Sequence, residues 1–166
     1  HTFGNVQTNL LIEGYYTDLN DVFSTRKLAQ PDAQGNEVQE RYNAYGAKVY
    51  GLNIEGKAAY ASWLELQAGV TLQKSRYDQS VEWDEDAPKE KKMLRTPDLY
   101  GYFTATIHPL KRLSASFFGT YTGSMLVGRA GIENGPGIRE PVALNTPEFF
   151  TLNLKVAYDI PVYKSI

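Results

Sequence analysis

The chain has 166 residues, with 17 Lys and Arg against 19 Asp and Glu and a formal net charge of −2. That length favours one domain, and the slight acidity gives no electrostatic basis for binding nucleic acid. The absence of cysteine excludes disulfides and thiol chemistry. Mean hydropathy is −0.40, and no apolar run approaches the roughly 18 residues of a membrane helix. Membrane-crossing strands alternate polar and apolar residues, so average hydropathy leaves that route open. Tyrosine (12) and glycine (14) are both abundant, as in barrels with aromatic girdles. The chain starts at His1 without an initiator Met or signal peptide and stops at Ile166 just after a strand, which reads as a piece of something longer.

In residues 6–29, Leu10, Ile12, Gly14 and Tyr16 share one face, while Asn9, Leu11, Glu13 and Tyr15 share the other. Asp18 to Asp21 reads either as the tight turn of a hairpin or as a bulge inside one long strand. Gln30 to Glu40 is polar and holds Pro31, Gly35 and Asn36, a loop composition. Residues 41–78 then form a hairpin with a tight break at Ala61-Ser62. Tyr50, Leu52, Ile54, Ala58 and Tyr60 oppose Asn53, Glu55 and Lys57, and Leu64, Leu66, Val70 and Leu72 oppose Glu65, Gln67, Thr71 and Gln73. This is the period-two signature of strands with one apolar and one polar face. Gln79 to Leu94 is charged and unpatterned, a long exposed loop.

A fourth strand follows from Leu99 to His108, with Phe103 and Ile107 on one face and Tyr100 and Tyr102 on the other. After the short turn Pro109–Arg112, a fifth strand sets Leu113, Phe117 and Tyr121 against Ser114, Ser116 and Thr120. Gly123 to Pro147 is a third long loop, made flexible by G-R-A-G and N-G-P-G. The sixth strand sets Phe150, Leu152, Leu154, Val156, Tyr158 and Ile160 against Thr151, Asn153 and Lys155 and ends at Pro161.

Two regularities point to a class. Long and short connections alternate, so the long loops gather at one end of the sheet and the turns at the other. Each strand holds about ten alternating residues, which at roughly 3.3 Å per residue and a 45° tilt span about 23 Å, close to the height of an outer-membrane barrel's apolar band. Tyr16, Tyr50, Tyr60, Trp63, Tyr121 and Tyr158 fall near strand ends, where interfacial aromatics sit. Charges on the apolar face, such as Lys48, Lys74 and Arg76, occur only towards strand ends. The pattern alone also allows a soluble β-sheet binding or adhesion domain whose aromatics are core residues.

The sequence offers little for catalysis. Only His1 and His108 are present, and His108 sits beside Pro109 at a short turn, far from the long loops. No zinc spacing, Walker loop or dinucleotide glycine pattern occurs, so no cofactor, metal or enzymatic activity is expected; a barrel enzyme is the weakest option. The acidic run Asp78, Glu82, Asp84, Glu85 and Asp86 has carboxylates that suit calcium but not the spacing of a known loop. It is followed by Lys89, Lys91 and Lys92 and reads as a solvated mixed-charge loop.

Four segments carry a family resemblance: Y-T-D-L-N-D-V-F, Y-N-A-Y-G-A-K-V-Y-G-L-N-I-E, R-T-P-D-L-Y-G-Y-F and G-T-Y-T-G-S-M. With Asn43, Gly51 and Glu55 at their spacing and the Thr96-Pro97 pair before a strand, the chain resembles the C-terminal barrel region of TonB-dependent outer-membrane receptors, in a variant most like those of Bacteroidetes-type bacteria. The resemblance covers essentially the whole chain. It implies an all-β antiparallel meander of about six long strands, part of a 22-stranded transmembrane β-barrel in the bacterial outer membrane. Residues 6–29 become one ascending strand, Gly51 faces a crowded interior and Glu55 a lumen. Residues 1–166 would be a partial barrel, without the plug domain and the final strands.

The implied function is uptake of a large scarce nutrient (siderophore, cobalamin or glycan) with TonB-coupled energy. The implied partners are the rest of the barrel, the plug domain, the TonB complex through missing parts, lipid and lipopolysaccharide, and the nutrient. The segment alone is expected to self-associate. Candidate substrate contacts are Arg76, Tyr77, Trp83, Arg95, Arg129 and Arg139, residue types that hold anionic or aromatic ligands.

Overall fold

Alternation of this length has no helical solution, and a computed structural model resolves it into strands throughout. It describes residues 2–28, 30–36, 38–84, 87–129, 131 and 140–160. The strands are β1 (Thr2–Phe3), β2 (Val6–Leu19), β3 (Phe23–Lys27), β4 (Gln39–Asn43), β5 (Ala47–Tyr60), β6 (Leu64–Val81), β7 (Glu90–Lys92), β8 (Leu99–Leu110), β9 (Leu113–Thr122), β10 (Leu126–Arg129), β11 (Val142–Asn145) and β12 (Phe149–Tyr158). The main sheet runs β1-β2-β5-β6-β8-β9-β12, with β7 also on β6. Every pairing is antiparallel. The end strands do not pair with each other, so the sheet is an open meander of six long strands.

The register decides what the faces are. Ile12, Ile54, Val70, Gly101, Tyr121 and Phe150 form one continuous cross-strand row. Leu10, Gly56, Ala68, Phe103, Gly119 and Leu152 form the next row on the same face. Between these rows, on the other side, Leu11, Glu55, Gly69, Tyr102, Thr120 and Thr151 line up. A slip of one residue in any pair would exchange the two sets, and along the six long strands the register shifts only at the turn end of β8 and β9, beyond Ile107. Phe103 stacks on Phe150 at 6.0 Å and tilts against Phe117 at 5.6 Å, which fills the apolar face locally.

No second layer covers either face among the described residues. The only buried apolar residues there are Ala47, Val81, Ala87 and Leu126, all at the long-connection end, while Leu10 and Leu154 are 68% and 69% exposed. A sandwich buries its apolar faces against a partner sheet about 10 Å away; this sheet has none. No described helix is long and apolar enough to cross a membrane, which says nothing of strands.

The short connections sit together at one end. Ala61–Trp63 turns with Ala61 at φ 49°, and its N–H bonds the Asn5 carbonyl at 2.8 Å, so the turn after β1 lies beside it. The β8–β9 turn at Lys111–Arg112 follows an irregularity between Ile107 and Leu110. Pro109, which has no N–H to give a ladder, falls inside that irregularity.

The long connections differ from the sequence reading. Residues 18–21 make no hairpin: β2 is interrupted, with Asp21 at φ 59°, and continues as β3. From the pair Leu19–Ala47 to the pair Phe23–Asn43, both chains advance four residues, so the ribbon keeps its register across the break. The stretch 79–94 is not simply an exposed loop, because β6 runs to Val81, β7 returns beside it and Ala87 is buried. Likewise 123–147 holds β10 and β11, and from Thr122–Phe149 to Leu126–Asn145 both chains again advance four residues. Ladder hydrogen bonds are available wherever two antiparallel chains stay side by side, and charge does not prevent them when both faces are wet. Glu85, Asp86 and Pro161 lie outside the described residues.

The first ribbon ends in a turn built on Asp32. Its carboxylate accepts the backbone N–H groups of Gln34 (2.9 Å) and Asn36 (2.8 Å) and the Asn36 side-chain amide (3.0 Å). Those bonds, led by the Asn36 side chain, hold the Asp32 carboxyl below its ordinary value. A depressed carboxyl stabilises the turn above the unfolded value, about pH 4, and that contribution is lost as pH falls through the folded value. The protection factors of the Gln34 and Asn36 amides, taken relative to the intrinsic exchange rate at each pH, should therefore fall as the solution is acidified through the folded value. Asp32→Ala should lower those protection factors and remove their pH dependence; unchanged protection in that variant would contradict the assignment.

Candidate functional site

The polar face is a wall of side chains bonded across strands. Tyr15 on β2 stands opposite Gly51 on β5, and its hydroxyl passes over that glycine to donate to Gln73 Oε1 on β6 at 2.9 Å. Tyr102 on β8 stands opposite Gly69 on β6 and passes over it to donate to Glu55 Oε2 on β5 at 2.7 Å. The two rings approach the β5–β6 hairpin from opposite sides. A Cβ at position 51 would stand 2.7 Å from the Tyr15 hydroxyl, and one at 69 only 2.6 Å from the Tyr102 ring. Glycine is what lets each ring lie along the sheet, because no side chain stands in its path.

Further bonds tie the wall together. Gln67 Nε2 donates to the Tyr102 hydroxyl at 2.8 Å and to Glu55 at 3.3 Å, while Lys57 sits 3.2 Å from the same carboxylate. Between the tyrosines, Thr71 donates to Asn53, which donates to Glu13. Gln73 Nε2 reaches the Pro97 carbonyl at 3.0 Å and fixes the start of β8. No arginine stands on this wall in the six long strands. The arrangement is a wetted, directionally bonded surface with no paired nucleophile and base. His108 Nε2 lies 3.8 Å from Glu65 at the turn end, remote from the ribbons.

The ribbons receive the candidate ligand residues unequally. Trp83 packs its indole over Gly128, where an added Cβ would stand 2.5 Å from the ring, and the Arg95 N–H donates to the Leu126 carbonyl at 2.7 Å. The second and third ribbons are thereby joined, and Trp83, Arg95 and Arg129 come into one outer lobe. Arg95 takes φ 58° there and is exposed, as is Arg129. Trp83 Nε1 is enclosed without a hydrogen-bond partner. Tyr77 stands opposite Ala47 on the wall side, whereas Arg76 stands opposite Lys48 on the apolar side. Arg139 lies outside the described residues. Of the acidic run, Asp78 is held by Lys48 at 2.6 Å.

Sequence reasoning missed Tyr15, Gly69, Gln73 and Tyr102 as a unit. Their spacing within each strand is ordinary; only the register brings each tyrosine opposite a glycine. Replacing Tyr102 by Phe should cost about 1 kcal/mol of unfolding free energy, because it removes two exposed hydrogen bonds, each at the low end of the net range of about 0.5–1.5 kcal/mol. Gly69→Val should cost more, about 1–3 kcal/mol, by expelling the ring. Denaturant titration of the protein in lipid or detergent checks the order; equal or negligible effects would contradict the ring-over-glycine packing.

The family model for the TonB dependent receptor-like β-barrel matches residues 2–166. No curated protein and no solved structure gives a significant match. That family is, in general, one of outer-membrane receptors and transporters and is not typically enzymatic. With one bonded polar face, one bare apolar face and all long connections at one end, the chain belongs to the TonB-dependent receptor-like β-barrel family.

Proposed function

We propose that residues 1–166 supply part of the wall and the outer ribbons of a 22-stranded, plugged barrel in the outer membrane, and that the whole protein takes up a large scarce nutrient with TonB-coupled energy. The observation that carries this reading is the two-faced open sheet. Its bonded polar face suits a water-filled or plug-filled lumen, and its uncovered apolar face suits lipid. The end strands of the six-strand sheet do not pair with each other, so in this reading other segments complete the barrel and provide the plug and the contact with TonB. Without them the segment self-associates through its strand edges and apolar face.

Tyr50 and Tyr60 mark the two limits of the lipid band on β5. Tyr16 stacks on Tyr50 at 6.3 Å, and Trp63 packs edge-on against Tyr60 at 5.8 Å. The ten-residue interval between them covers about 23 Å at a 45° tilt.

Ligand capture in this reading falls to the ribbons, because the wall carries no arginine. Arg95 and Arg129 on the joined lobe, with Tyr77 below, form the first contacts for a siderophore, cobalamin or glycan. Trp83 positions that lobe by filling the space over Gly128.

Cells making the full-length protein should accumulate one of these three nutrient classes, and a protonophore or loss of TonB should abolish accumulation. Arg95→Ala with Arg129→Ala should weaken capture of an anionic nutrient about ten-fold, about 1.4 kcal/mol. Accumulation indifferent to TonB, or a full-length protein freely soluble without detergent, would overturn the reading.

A further inference from the structure

The apolar face is not uniform near the long-connection end. There an open groove of about 810 Å³ is lined by Gly14, Tyr16, Tyr50, Leu52, Leu72 and Leu99. Gly14, Leu52, Leu72 and Leu99 are consecutive cross-strand partners, so one row forms its floor. Gly14 leaves the space: an added Cβ there would meet nothing within 4 Å. Directly above, Tyr16, Tyr50 and Lys74 form the next row on the same face, then Asp18, Lys48, Arg76 and Lys92 the row after that.

The charges in these rows are unequally satisfied. Lys48 is held by Asp78 at 2.6 Å and faces Asp18, and Lys92 is held by Asp98 at 2.8 Å. Lys74 and Arg76 are exposed and have no carboxylate partner among the described residues. They share one face of β6, two residues and so about 7 Å apart. Cationic heads above an apolar groove, at the level of stacked tyrosines, complement a molecule with an anionic head and hydrocarbon tails. Arginine grips a phosphate through its fork and lysine as a point charge.

We infer that this groove is a seat for one phosphorylated, acylated lipid of the outer leaflet, with phosphate on Lys74 and Arg76 and an acyl chain over Gly14 between Tyr50 and Leu72. The inference rests on the proposed function in one respect, that this face meets lipid. It goes beyond general lipid contact by naming a fixed site and its ligand chemistry. Simple reach of Lys74 and Arg76 into interfacial water predicts no preference among lipids.

The test uses the full-length protein in detergent, with diphosphoryl lipid A as the probe and monophosphoryl lipid A as the control, and native mass spectrometry to count retained lipid. Retention should fall about ten-fold or more in Lys74→Ala/Arg76→Ala, since both cations that hold the phosphate are removed. The same variant should lose the preference for the second phosphate. Gly14→Leu, which has room to fold, should lower retention of both probes by filling the groove. In parallel, Leu52→Trp in vesicles of brominated lipid reports whether the face meets acyl chains. Quenching with unchanged retention in both variants overturns the lipid seat alone. Absence of quenching overturns the orientation of the face, and with it both the lipid seat and the proposed function.

Discussion

Everything in this sheet depends on register. Because side chains alternate at every residue, a one-residue slip anywhere would bring Glu55, Gln67 or Lys57 to the apolar side and Ile54 or Leu66 to the polar one. The pairing instead carries the two sets unmixed across six strands. In a medium without water, a misplaced Lys near the middle of the band costs about 2–4 kcal/mol and a misplaced carboxylate somewhat less. A slip would misplace several at once. The polar side adds its own constraint, since Tyr15 and Tyr102 find room only when opposite Gly51 and Gly69.

The ribbons extend the same logic past the apolar band. β3 and β4 resume the register of β2 and β5 after an interruption at Asp21, and β10 and β11 resume that of β9 and β12. An interruption that preserves register bends a ribbon without re-facing it, so the outer parts stay aligned with the wall beneath them. Trp83 over Gly128 and the Arg95–Leu126 bond then join two ribbons side by side. The joined lobe carries the exposed Arg95 and Arg129, while the wall below holds its polar groups in bonds to one another.

Much of this was legible in the sequence. Alternation in Val49–Tyr60 and Leu64–Gln73 assigned the faces of both strands, and the alternation of long and short connections placed the loops and turns at opposite ends. The outer strands β7, β10 and β11 were not legible, because their residues alternate weakly; Glu90–Lys92 is charged throughout. Their pairing is imposed by the neighbouring strand rather than by a hydrophobic face. The Tyr–Gly pairs were hidden for a different reason. Tyr102 and Gly69 are 33 positions apart, and only a register that no local signal prints makes them partners. The groove over Gly14 escaped notice in the same way, since a glycine in an apolar row reads as weak alternation, not as space.

The central claim is that the two faces of this sheet meet different media. Residues 1–166 contain no cysteine, so with any cysteine elsewhere in the full-length protein replaced by serine, single cysteines placed in turn from Leu52 to Ala58 can each carry one nitroxide. Their collision rates with oxygen, which concentrates in lipid, and with a water-soluble nickel chelate measure the medium directly. Labels at positions 52, 54 and 58 should collide with oxygen, and those at 53, 55 and 57 with the chelate, in strict alternation. Uniform accessibility along the strand, or alternation with the opposite phase, would contradict the account.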